Sequence, residues 1–268
     1  MKCLVTGAGG FVAAWVLLQR PADWEMIAVS RKDPALIRAG IHWRRIEETS
    51  GSLAAVIKAE RPEAVIHTIA LPDIEYCQAH REEAVVVNVD LSREVADACA
   101  DIGARLVHCS TDNVFDGLKG MYREEDPVGP VNFYGETKLR AEEAVRESGA
   151  TAVIARVAIV LGLPIPGGHS TSLQRMIMQL KEGKPAGTPS SETRTPIDVA
   201  SLGAALLELA GNDFTGIIHL AGGERDNRVS FMRRIAEALG YDPGLVMPNH
   251  PELTPGYAPR PLDVSLDN

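Results

Sequence analysis

Residues 2–18 constrain the fold more than any other stretch. Lys2-Cys3-Leu4-Val5-Thr6 is a short apolar run, and Gly7-Ala8-Gly9-Gly10 follows it directly. Phe11-Val12-Ala13-Ala14-Trp15-Val16-Leu17-Leu18 then reads as a buried helix. Strand, glycine turn and helix opening, in that order, present backbone N–H groups and a helix N-terminus to a pyrophosphate. Glycine permits both the tight turn and the close approach of phosphates. Ala13 stands at the third small position, where a helix–sheet contact tolerates it. The layout predicts a nucleotide-binding first unit, against the simpler reading of an ordinary glycine turn.

The alternation continues. Residues 26–30, 64–68, 105–109, 152–157 and 217–220 read as strands, and 54–58, 82–102, 136–147, 172–181 and 230–239 as helices. Such alternation predicts a parallel sheet with helices on both faces. Ligands then sit beyond the carboxyl ends of the strands. The expected class is α/β, a Rossmann-type doubly wound parallel sheet with a small C-terminal substrate lobe. Residues 1–162 form the dinucleotide-binding domain, to which 193–222 return, and 163–192 with 223–268 form the lobe. The lobe follows from a change of character: Pro164, Pro166, Gly167 and Gly168 make a loop, and Gly187-Thr188-Pro189-Ser190-Ser191 another. The proline-rich tail from Pro248 to Pro261 has no clear period.

At 268 residues and 45% apolar, the chain can bury a proper core as one large domain or a domain with a lobe. A net charge of −9 gives no bulk attraction to nucleic acid or an anionic membrane, so a phosphate ligand must be met by local donors. No apolar stretch approaches a membrane span, and residue 2 reads as the opening of the first strand without a basic and then apolar leader pattern, so no secretory leader is expected. Cys3, Cys77, Cys99 and Cys109 lack metal-ligand spacing and read as buried thiols. The expectation is a cytoplasmic enzyme without a metal.

Tyr134 and Lys138, in Tyr134-Gly135-Glu136-Thr137-Lys138, carry the chemistry. Residues four apart share a helix face, and a neighbouring ammonium favours phenolate, pulling a pKa of about 10 toward a useful range. Alone the pair is weak, since most such pairs are solvated. At the end of the 105–109 strand, Ser110-Thr111-Asp112-Asn113 offers a hydroxyl at the ligand edge, with an N-cap or turn as its plainer role. Asn88 is polar among Val85, Val86, Val87 and Val89, and reads as either a water-holding group near the lysine or a buried amide bonded to backbone. After the second strand, Ser30 and Arg31 stand where an NAD site usually places an acid. A guanidinium suits a 2′-phosphate, so NADP(H) is favoured and NAD(H) is the alternative. Asp33, a little further on, is a decoy acid.

With these motifs assembled, the chain resembles the extended short-chain dehydrogenase/reductases, in the branch of dTDP-4-dehydrorhamnose reductase. The matching stretches are Thr6-Gly7-Ala8-Gly9-Gly10, Ser110-Thr111-Asp112 with Val114-Phe115-Asp116-Gly117, Tyr134 to Leu139, Arg194-Thr195-Pro196, and Arg260-Pro261. The resemblance implies that Tyr134 protonates a carbonyl oxygen as hydride arrives. Lys138 would hold the nicotinamide ribose and lower the tyrosine pKa, Thr111 would orient the carbonyl, and Asn88 would support the lysine through water. Gly7, Gly10, Phe11 and Val12 would cradle the pyrophosphate, Ser30 and Arg31 would meet the adenosine end, and Ala70 would join the cofactor wall. Asn113, Arg194 and Arg260 would contact substrate, a nucleotide-linked sugar. Paired helices at 82–102 and 136–147 would make a homodimer.

Departures stand beside the likeness. Asn113 replaces a tyrosine of the branch, and His67 replaces a common asparagine, although related epimerases carry histidine there. Family members usually continue past residue 268 into a further helix, so a shorter lobe is expected. The leading expectation is a reductase of a keto group on a nucleotide sugar. A related epimerase is the alternative, and a cofactor-binding regulatory subunit, like the β subunit of methionine adenosyltransferase, is another. Dehydration usually needs an acid pair beside the threonine, and Thr111-Asp112-Asn113 offers one acid.

Overall fold

Val5, Ile27, Val65, Val107 and Ile154 lie in short runs that are apolar on both faces, the pattern of strands covered by helices on each side. The computed structural model describes residues 1–32, 39–47, 51–166 and 171–268. Asp33, Gly167 and Gly168 lie outside the described residues. Seven parallel strands form the central sheet: β1 (Lys2–Thr6), β2 (Glu25–Ser30), β3 (Ile41–Arg45), β4 (Ala64–His67), β5 (Arg105–Thr111), β6 (Ala152–Val157) and β7 (Gly216–Leu220). Their spatial order is β7-β6-β5-β4-β1-β2-β3, so the direction of winding reverses between β1 and β4. In a doubly wound sheet that reversal opens the ligand crevice.

One face of the sheet is covered by α1 (Phe11–Leu18) and a helix at Val199–Gly211, which share a core of Val5, Val16, Leu17, Leu202 and Leu206. The other carries α2 (Ser52–Glu60), α3 (Leu91–Ile102) and α4 (Phe133–Glu147) over Leu4, Ile27, Leu53, Val95 and Leu106. α3 continues a longer helical run from Arg81, in which Val86–Asp90 forms one π-helical turn. The helix at Val199–Gly211 has its C-terminal carbonyls met from the sheet: Arg105 Nε donates to Leu209 O at 2.6 Å, and its guanidinium also reaches Phe214 O.

A smaller core gathers the C-terminal segments. Leu173, Met176 and Leu180 of the helix Ser172–Lys181 pack with Phe231, Met232 and Ala236 of the helix Arg228–Ala238. Two details differ from the sequence expectation. Residues 186–189 are a strand rather than loop, paired in parallel with Val246–Asn249 from the proline-rich tail. The tail then packs beside the segment after β5, where Val264, Ser265 and Leu266 are fully buried with Val114, Phe115 and Tyr122, and Tyr122 N donates to Ser265 O at 2.8 Å. No helix among the described residues is long and apolar enough to cross a membrane.

Candidate active site

The glycine turn closes as its sequence demands. Gly7 adopts φ +71°, left-handed backbone that strains any side chain, and Gly10 N donates to Gly7 O at 2.7 Å. A Cβ on Gly7 would press to 3.0 Å from the Thr68 hydroxyl at the end of β4, so the turn lies against the β1–β4 crevice. Gly10 caps α1 without a side-chain hydrogen bond, which leaves the N–H groups of Phe11 and Val12 to point outward. A Cβ at Gly9 would meet nothing within 4 Å. Bare helix donors beside open space fit a pyrophosphate. Ala70 is half-buried just beyond β4, on the same crevice.

The adenosine end is more selective than expected. The Ser30 hydroxyl is committed, donating to Lys32 O at 2.6 Å and accepting from Trp43 Nε1 at 3.0 Å. Arg31, exposed next to it, is the member of the pair at the surface.

The catalytic candidates converge at the end of β5. α4 starts at Phe133, so Tyr134 and Lys138 do lie one helical repeat apart on one face. Asn132 caps that helix, its side chain accepting from Gly135 N at 2.9 Å and donating to Pro259 O at 3.1 Å. Thr111 caps the short turn Asp112–Val114: its hydroxyl accepts from Asn113 N at 3.2 Å and donates to Asp112 Oδ1 at 3.1 Å. Lys138 Nζ donates to Cys109 O at 2.7 Å.

Electrostatics correct one expectation. Burial pushes the Tyr134 phenol above its ordinary value, with the charges of Asp112, Cys77 and Cys109 adding to the rise. The Thr111 hydroxyl opposes that rise in part. Burial lowers the lysine itself to about 8, while Cys109 and Glu142 oppose that shift. Tyr134 is therefore held as a phenol at neutral pH, ready to give a proton.

Asn88 sits in the π turn and is spent. Its Oδ1 accepts from Leu71 N at 2.7 Å, and its Nδ2 donates to Leu71 O at 3.2 Å and Thr137 Oγ1 at 3.0 Å. The buried-amide reading thus describes its contacts, and those bonds hold the loop after β4 against α4 next to Lys138. Asn113 turns inward, its amide donating to Asp112 Oδ1 at 2.8 Å rather than facing outward. Arg194 does not present itself to a ligand either: its side chain is buried against Glu192 at 2.9 Å and donates to the carbonyls of Thr193 and Pro261. Its position matters locally, because its charge acts on Asp112. Arg260 pairs with Glu75 at 2.9 Å and lies 4.5 Å over the Tyr257 ring. Glu75 also accepts from Ala258 N at 3.1 Å, so residues 257–260 form a strap across helix Ile74–Ala79 and the start of α4.

Three residues gained a place at the site that the sequence reading had not assigned them. Asp112 is buried beside Thr111, and burial lifts its carboxyl to about 6 against the pull of Arg194. Glu142 lies one repeat beyond Lys138, a spacing that was there to be read. His108 is fully buried beside its register partner His67, with ring centroids 5.6 Å apart, and nothing in its local sequence announces that.

The full chain, residues 1–268, matches the family described as RmlD substrate binding domain. The chain belongs to that family. A dTDP-4-dehydrorhamnose reductase of Mycolicibacterium smegmatis is 32% identical over 97% of this chain and 76% of its own length. Methionine adenosyltransferase 2 subunit beta of Bos taurus is 27% identical over 99% of this chain and 80% of its own. A hypothetical dTDP-4-dehydrorhamnose reductase from Sulfolobus tokodaii superimposes with a TM-score of 0.85 at 30% identity, covering 100% of this chain and 92% of that one. The Bacillus anthracis enzyme in complex with NADP gives a TM-score of 0.85 at 22% identity, covering 99% and 89%. The expected Rossmann-type sheet and the extended short-chain dehydrogenase/reductase branch both hold.

Proposed function

We propose that the protein is an NADP(H)-dependent reductase of a keto group on a nucleotide-linked sugar, and that it works in the cytoplasm. One observation carries the reading. Tyr134 and Lys138 lie one repeat apart on α4, at the end of β5 where Thr111 stands, and burial keeps Tyr134 a phenol. A phenol held protonated suits donation to a carbonyl oxygen, the direction of reduction. An epimerase must begin by taking a proton from an alcohol, which this setting disfavours. The dinucleotide fits the Gly7–Gly10 turn and the bare start of α1, with Arg31 toward a 2′-phosphate.

When bound, the nicotinamide supplies the hydride. Thr111 and Tyr134 hold the carbonyl oxygen by hydrogen bonds, and Tyr134 transfers its proton as negative charge builds there. Lys138, an ammonium at neutral pH, stabilises the phenolate left behind. We assign the cofactor to the sheet domain, residues 1–162 with 193–222, and the sugar nucleotide to the lobe of 163–192 and 223–268. We assign Arg260, paired with Glu75 at 2.9 Å in the strap, to the diphosphate end of the substrate. A homodimer through the helices at 81–102 and α4 would pair charged outer faces, including Arg93, Arg140 and Glu143; light scattering on the purified protein tests it.

The activity test is direct. Protein is mixed with NADPH and a panel of 4-keto nucleotide sugars while absorbance of the reduced cofactor is followed. Oxidation that continues over many turnovers is expected. Sugar conversion without net oxidation would assign an epimerase. Tight cofactor binding with no turnover on any sugar would sink both and favour a regulatory subunit, the role in the name of the Bos taurus relative.

A further inference from the structure

Tyr134, Lys138 and Glu142 follow one another at four-residue steps along one face of α4. Glu142 is fully buried, which for a carboxylate demands compensation. Two strands provide it. Ser110 of β5 donates to Glu142 Oε1 at 2.5 Å, and Arg156 of β6 donates from Nε at 3.1 Å and from Nη2 to Oε2 at 2.9 Å. Ser110 and Arg156 are register partners in the sheet. Ser110 in turn lies between Cys109, whose carbonyl receives the Lys138 ammonium, and Thr111. Arg156 is fixed from behind by the Glu124 carbonyl at 3.2 Å and by the face of Phe115, 5.1 Å to its centroid. One buried ion pair thus ties the helix of Tyr134 and Lys138 to the strand end of Thr111.

We propose that Glu142 is a positioning residue: gripped by Arg156 and Ser110, its carboxylate sets the register of Tyr134 and Lys138 against Thr111. The same carboxylate, one repeat along the helix, favours the ammonium form of Lys138. The proposal rests on the reductase reading above. A purely structural purpose explains the arrangement poorly, because apolar residues of similar volume stabilise a core at least as well as a buried ion pair. The groups around the lysine leave the role to Glu142. Tyr134 on its own helix is a neutral phenol, held above its ordinary value by burial. On β4 and β5, His67 and His108 are held neutral by burial and by the lysine charge itself. Burial pushes the Cys109 thiol up to about 12, so it carries no charge at neutral pH. Arg156 on β6 spends its charge on Glu142.

The test uses the full chain with Glu142→Gln and, because that change strands Arg156, the double variant Glu142→Met/Arg156→Met. Three quantities are read: kcat and KM for NADPH against pH, the thermal midpoint, and the Lys138 titration by NMR of lysine labelled at Cε. Glu142→Gln should lower kcat by about 10- to 100-fold with little change in KM. Its basic limb should move down by about one pH unit, since the lysine loses the charge that favours its protonated form. The double variant should keep a near-native thermal midpoint yet show the same kinetic loss and the same downward Lys138 shift. A double variant with wild-type kcat, or with an unmoved Lys138 titration, overturns the proposal and leaves the pair a structural one. Should Glu142→Gln fail to fold, the double variant decides alone. Should the wild type reduce no keto sugar, the reductase reading falls, and the Lys138 titration still decides whether Glu142 acts on the lysine.

Discussion

Thr111 does more at the site than orient a carbonyl. Its single proton goes to Asp112 Oδ1 at 3.1 Å and Asn113 N and Nδ2 fill its lone pairs at 3.2 and 3.3 Å, so orienting a carbonyl means turning that proton from Asp112 to the substrate. The order Tyr134, Thr111, Asp112 runs from the reacting edge inward. Tyr134→Phe removes the proton donor and should lower kcat by at least about 100-fold. Cofactor affinity, measured by quenching of protein fluorescence, should stay within about twofold, since the ring stays in place. Thr111→Val should lower kcat by about 10-fold or more, because it removes the hydroxyl that orients the carbonyl and takes a partner from Asp112. Full activity in Tyr134→Phe would remove the phenol from the mechanism. The Tyr134–Lys138 pair was legible because helical spacing alone puts both side chains on one face. The inward turn of Asn113 was not, because a loop side chain follows its local partners, here Thr111 and Asp112, which no periodicity encodes.

At the scale of elements, the entry to α4 decides whether the site assembles. A Cβ on Gly135 would lie 2.2 Å from Asn113 O and 2.9 Å from Pro130 Cβ, so the helix packs directly on the turn that follows Thr111. Gly135→Ala must push that turn away, at a cost of about 1–3 kcal/mol. The expected result is a thermal midpoint several degrees lower and a kcat loss larger than in a surface glycine variant such as Gly223→Ala, where a Cβ would meet nothing within 4 Å. Equal effects of the two changes would show that the close approach does not matter. Asn132→Ala loses the cap of α4 and should cost about 1 kcal/mol, read as a shift in urea midpoint. The π turn at Val86–Asp90 was out of reach of periodicity. Residues 82–102 read as one helix, and the extra residue in the turn arises where Asn88 docks on Leu71, a partner from another element.

Across the whole molecule, the sheet was legible wherever apolar runs were long and buried, as in β1, β2 and β6. β3 was harder to see, because Ile41-His42-Trp43-Arg44-Arg45 is an edge strand with one buried residue. The same sheet carries an acid-sensitive device. His67 and His108 stack in its interior, where Thr6 Oγ1 and Ser92 Oγ lie 2.8 and 3.3 Å from the His67 ring nitrogens. Burial and the Lys138 charge lower His67 from 6.5 to about 3 and hold His108 well below 6.5. Below pH 6.5 the unfolded chain therefore binds two protons that the folded chain refuses. Stability that is full above pH 6.5 is lost as pH falls, by about 1.4 kcal/mol per pH unit for each histidine. Asp112 acts in the opposite sense: lifted from 3.8 to about 6, it binds its proton first in the folded state and offsets one histidine below pH 6. Between pH 6 and 5 the two histidines outweigh the one carboxyl, so stability still falls. Urea midpoints at pH 7, 6 and 5 should fall steadily for the wild type. His67→Asn removes one of the two histidines, so its midpoint should fall less steeply than that of the wild type between pH 6 and 5. Parallel pH curves for the two proteins would mean that His67 is protonated in the folded state, and that the buried histidine pair is not neutral.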